Sequence, residues 1–201
     1  MDWFATPSMG KWGNAYYRRV ATHFAISRNG QIVQGFGLEY WASHIGEPSL
    51  QSRYSWPSEQ EIEFIGIEVS CWGPVKILPD GSQFIETYKH VLNTPTEVIT
   101  YPEPFRGAST YERYSQESMD SLRDLTLALV ELFGIETSEF ARVWQEGRFW
   151  DLTQEAVDLK QGIAGHINLI SYKSDPHPDP RFIDMVDQVL AQLQPFCNDD
   201  H

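Results

Sequence analysis

Late in the chain, Gly165-His166-Ile167-Asn168-Leu169-Ile170-Ser171-Tyr172-Lys173-Ser174-Asp175-Pro176-His177-Pro178 gathers an imidazole, an ammonium and a carboxylate into one proline-bounded loop. A neutral imidazole nitrogen and a carboxylate oxygen suit zinc. An ammonium beside them can hold a developing oxyanion. His166 and Asp175 are separated by a loop rather than a helical turn, so they converge only if the loop folds back, a path that Pro176, Pro178 and Pro180 help fix. Taken alone, the loop reads equally as a surface His followed by a solvated Lys-Ser-Asp turn.

Glu68 is the second candidate. It follows the apolar run Phe64-Ile65-Gly66-Ile67, where a charge should not be buried without a partner. A carboxylate at the end of a central strand can serve as a general base whose pKa burial raises; the other reading is a strand-end Glu facing solvent. Gly66 and Cys71-Trp72-Gly73 around it favour the first. His23, in Ala21-Thr22-His23-Phe24, and His44, in Trp41-Ala42-Ser43-His44-Ile45-Gly46, come third; each alone reads as a structural histidine. His90 and His177 have no context that assigns them a role.

The elements that must position these groups have clear local signals. Arg28-Asn29-Gly30 between His23–Ser27 and Gln31–Gln34, with its Asn-Gly pair, predicts a β-hairpin. Phe64–Ser70 predicts a buried central strand. The turn-rich stretch from Gly73 to Gly107 predicts short strands. Met119, Leu122, Leu125, Leu129 and Leu132 recur at helical spacing over 116–133, with Ser115 as N-cap and Gly134 at C′. Ile163–Leu169 reads as a short strand leading into the loop. Asp179-Pro180 opens a last helix with Phe182, Met185, Val186, Val189, Leu190 and Leu193 on one face. Together these predict a mixed α/β fold: a central sheet, mostly parallel to mixed, flanked by helices.

The whole chain sets wider bounds. Its 201 residues fit one domain with a sizeable core. A net charge of −13 argues against nucleic acid and against anionic membranes as partners. Seven Trp and nine Tyr can fill a core or line a groove for sugar or peptide. Two cysteines, Cys71 and Cys197, make no disulfide framework. The N-terminus has no signal-peptide pattern and there is no apolar run long enough to span a bilayer, so the chain is expected to be cytoplasmic at synthesis, with possible action at the cell wall.

Four segments in this order, Ala21–Gln34, Trp41–Gly46, Ile65–Glu68, and Gly165-His166 with Lys173-Ser174-Asp175-Pro176, resemble the zinc-dependent N-acetylmuramoyl-L-alanine amidases of the type-2 family, whose fold is shared with peptidoglycan recognition proteins. No one segment is decisive; together they cover most of the chain from Trp3 to the last helix. The resemblance implies a Zn²⁺ cofactor with His166 and Asp175 as ligands, Lys173 as oxyanion donor and Glu68 as the group activating water. It places His23, Trp41 and His44 along a groove for peptidoglycan or muropeptide, and it makes 74–115 an insertion or decoration. A monomer is the simplest expectation.

One departure stands out. The family carries its first ligand His in an apolar strand of the form Val-Ile-His-x-Thr before a Trp-Phe segment like Trp3-Phe4, and no such strand precedes Trp3-Phe4 here. The expectation is an N-terminally incomplete amidase domain over 1–201; the alternative is a degenerate relative that binds muropeptide without cutting it. The joint survival of Glu68, His166, Lys173 and Asp175 favours the first.

Overall fold

A computed structural model describes residues 21–40, 43–45, 64–153 and 162–193. Asn29-Gly30 does make a hairpin, with β1 (Phe24–Ile26) antiparallel to β2 (Ile32–Gln34). Its loop is Arg28-Asn29-Gly30, as the sequence reads: Ser27 N–H donates to Gln31 O at 3.0 Å, and Gly30 closes the loop at φ 78°, a left-handed position that favours glycine.

β3 (Ile67–Val69) lies parallel to β1, with Glu68 opposite Ala25, and the strand order is β2-β1-β3. The buried central strand expected over Phe64–Ser70 is therefore only three residues long, and β1, not β3, is the middle strand of the described sheet. Ile67 and Val69 are half-buried, so the two-residue period of a strand turns Glu68 to the other, open face.

The turn-rich stretch folds as short strands. β4 (Lys76–Ile77), β5 (Gln83–Ile85) and β6 (His90–Val91) form one antiparallel sheet. β7 (Val98–Phe105) and β8 (Ala108–Glu112) form a long hairpin. β8 is locked to the first hairpin. Glu112, 2% exposed, accepts from Arg28 Nε and Nη2 at 2.9 and 3.0 Å and from the backbone N–H of Trp72.

α1 (Gln116–Phe133) has the bounds its sequence predicts. Ser115 Oγ accepts from Ser118 N–H at 3.2 Å, and Gly134, at φ 59°, donates to Val130 O. Met119 and Leu129 are buried, whereas Leu132 is exposed. α2 is Ser138–Gln145. The strand expected over Ile163–Leu169 is instead a single helical turn, α3 (His166–Leu169). Asn168 explains the difference: its Oδ1 accepts from Gly165 N–H at 2.8 Å, and its own N–H donates to Gly165 O at 3.0 Å. This local closure competes with an extended backbone.

α4 (Pro180–Leu193) starts at Asp179, whose Oδ1 accepts from Arg181 N–H at 2.8 Å. α1 and α4 pack together. Their core joins Met119, Phe182, Met185, Val186, Val189 and Leu190 to Tyr114, Phe140, Val143 and Phe149. A smaller cluster of Ile45, Leu169 and Ile170 lies under the late loop. The chain is thus a mixed α/β fold.

Candidate functional site

The late loop folds back on itself. Ile167 N–H donates to Asp175 O at 2.8 Å, and His166 Nδ1 lies 2.9 Å from Asp175 Oδ2. Lys173 N–H donates to Ile170 O at 3.1 Å, closing a turn at the tip. The loop is anchored twice more. His166 Nε2 lies 2.9 Å from Ile45 O, and Asn168 Nδ2 donates to the carbonyls of Phe149 and Asp151.

β3 brings Glu68 into the field of this loop. Its carboxyl is held above the usual carboxylate range, first by desolvation and then by the negative charge of Asp175; His166 and Lys173 pull it partly back. Burial also pushes the Asp175 carboxyl up, but there the hydrogen bond and charge of His166, with the charge of Lys173, win and hold it below its ordinary value. Both carboxylates keep open surface, 58% for the Asp175 side chain, while protein atoms crowd them. Water can therefore reach both carboxylates. Two carboxyls pushed in opposite directions are an arrangement that can divide proton-transfer work between an ionised group and a proton carrier.

The other sequence candidates fare differently. His23 is 3% exposed and both its ring nitrogens are engaged: Nδ1 accepts from Gly66 N–H at 3.0 Å and Nε2 lies 2.9 Å from Tyr40 O. It is a pin between the hairpin and the approach to β3, with no nitrogen left for a ligand. His44 meets His23 edge-on at 5.9 Å between ring centres and packs on Gly66, where a Cβ would come within 2.8 Å of the imidazole. This puts His44 one residue from the carbonyl that holds His166. Trp41 lies outside the described residues.

Sequence reasoning missed several residues. His177, given no role, is 1% exposed and stacked between Tyr111 and Tyr114 at 4.7 and 4.8 Å. Asn168 and the Ile45 carbonyl hold His166 in place, and a backbone carbonyl leaves no trace in a sequence. The fully buried Asp179 gathers Arg113, Tyr114 N–H and Arg181 N–H just beyond the loop.

His166 and Asp175 fit zinc in kind, an imidazole nitrogen and a carboxylate oxygen side by side, but both His166 ring nitrogens are engaged, by Asp175 and by the Ile45 carbonyl, so a metal has to displace one of these partners. In number they supply two of the three protein ligands of a catalytic zinc site. Among the described residues there is no group of three or more His, Cys, Asp or Glu that could hold a metal ion.

No curated protein and no solved structure matches the chain. A family model does, over residues 1–178, a span that takes in the hairpin, β3 and the whole late loop. The chain belongs to that family, Amidase_2, the N-acetylmuramoyl-L-alanine amidases, hydrolases of peptidoglycan.

Proposed function

We propose that the chain hydrolyses the amide bond between N-acetylmuramic acid and L-alanine, with Glu68 and Lys173 as catalytic residues and with zinc held by His166 and Asp175. The observation that carries this reading is that the raised carboxyl of Glu68, on the open face of β3, lies within the field of the Lys173 ammonium and the bonded His166–Asp175 pair. A zinc ion there supplies Lewis acidity toward water and the amide carbonyl. Glu68 takes the proton from the attacking water and returns it to the leaving amine of L-alanine. The Lys173 ammonium faces the oxygen on which negative charge develops. Asp175, held below its ordinary pKa, would stay ionised as a ligand, its bond to the His166 ring giving way to the metal. His44 lines the groove, joined by Trp41, while His23 acts on it only by fixing Gly66.

The closed His166–Asp175 bond favours a second reading, a module that binds muropeptide without cleaving it, since the two donors satisfy each other. Assay with purified peptidoglycan in the presence of zinc separates the two. Newly exposed L-alanine amines are expected with the wild type, and Glu68→Ala should lower their release by about 100-fold or more, with zinc content unchanged. Asp175→Ala should weaken zinc binding, read by calorimetry, by at least about tenfold. Undiminished release by the Glu68 variant removes Glu68 from the mechanism; affinity for muropeptide without any release establishes the binding module.

A further inference from the structure

The β7–β8 hairpin ends in a two-residue turn between the paired residues Phe105 and Ala108. Both turn residues have positive φ, 48° at Arg106 and 87° at Gly107. A turn of this kind takes Asn, Asp or Gly at its first position, because other side chains strain there. Arginine is a poor choice for the turn, and a residue held in a disfavoured backbone region points to a role outside it.

That role is visible in what the guanidinium reaches. Arg106 Nη1 donates to Ser171 O at 3.0 Å and Nη2 donates to Trp150 O at 2.9 Å. Packing does not force this arrangement: Arg106 is exposed and borders a cavity of about 690 Å³ that Phe105, Trp150 and Thr153 also line. Ser171 is the second residue of the turn that Lys173 N–H closes onto Ile170 O. The same hairpin reaches the loop on the far side of Lys173, where Tyr111 of β8, without exposed surface and with its hydroxyl donating to Phe105 O, lies beside the Ser174 side chain. One hairpin thus holds the loop two residues before the lysine and borders it one residue after.

We propose that Arg106 is a positioning residue: from the β7–β8 tip it fixes the Ile170–Lys173 turn, and through that turn it sets where the Lys173 ammonium stands. This rests on the reading of Lys173 as the oxyanion donor. A lysine has a flexible four-carbon stem, so its charge is placed only as well as its backbone is held. Transition-state contacts are steeply sensitive to such placement.

Arg106→Asn tests this without harming the hairpin, because asparagine suits the left-handed position better than arginine does. The full-length variant is expected to melt at or above the wild-type temperature. Its kcat on peptidoglycan fragments should fall by about 100-fold with KM nearly unchanged, and Arg106→Lys should recover part of the loss. Amide hydrogen exchange at Lys173 should quicken by roughly tenfold while α1 and α4 keep their protection. Wild-type kcat in Arg106→Asn overturns the proposal. If the wild type cleaves nothing, the amidase reading falls, and Lys173 exchange decides alone: unchanged protection in the variant overturns the brace, faster exchange upholds it.

Discussion

His177 sits between two tyrosine rings with its Nδ1 2.8 Å from the Tyr101 hydroxyl. Burial drives its pKa down from 6.5 to about 4, against the opposing charge of Asp179. The unfolded chain therefore takes up this proton more readily than the folded one. Its contribution to stability is complete above the unfolded value of 6.5 and is lost as pH falls toward about 4. Between pH 7 and pH 5 the loss amounts to about 2 kcal/mol. Urea unfolding at the two pH values should show it in the wild type, and His177→Phe, which keeps the stacking, should lose about 2 kcal/mol less; an equal loss in both proteins refutes the assignment. At this scale the sequence was a partial guide. The reactive types in 166–175 announce themselves, whereas the role of His177 depends on Tyr101, 76 positions away.

The first hairpin is held on α1 by its turn. Ser115 Oγ donates to Arg28 O at 2.6 Å and Ser121 Oγ donates to Gly30 O at 2.7 Å. A Cβ on Gly30 would lie 2.8 Å from Glu117 O, a helix backbone atom that cannot move aside cheaply. Gly30→Ala is therefore expected to cost about 2–3 kcal/mol, strain and collision together. Gly134→Ala, also at positive φ but facing open space, should cost only about 1 kcal/mol. Chemical denaturation of the two variants checks this, and equal costs would mean that the close approach to α1 is unimportant. Elements with complete local signals, Ser115 to Gly134 and Asp179-Pro180, are legible from sequence because the caps lie within a few residues of what they cap. α3 was misread as a strand because Asn168 stabilises it with one side chain rather than through any periodicity. β3 is shorter and shallower than its apolar run predicts, since such a run does not say which of its residues face the packed side.

Over the whole molecule, 28 acidic residues face 15 basic ones. Such an excess repels itself in the compact state. Raising NaCl from about 20 to about 200 mM should increase the thermal midpoint by about 2–4 °C, as screening shortens the reach of that repulsion; a decrease would mean that ion pairs such as Arg142–Glu139 and Arg113–Asp179 outweigh it. The fold class is legible at this scale, but the buried polar joints are not. Glu112 and Arg28 are 84 positions apart, and Asp179 and Arg113 are 66. The bond from His166 to the Ile45 carbonyl reaches further still, across 121 positions. Helices and hairpins form within neighbouring stretches of chain and form early, whereas contacts of such separation wait for large loops to close. The joint between His166 and Ile45 is therefore expected to close late in folding. A molecule still folding is expected to carry its helices and its hairpins before the late loop is pinned beside His44.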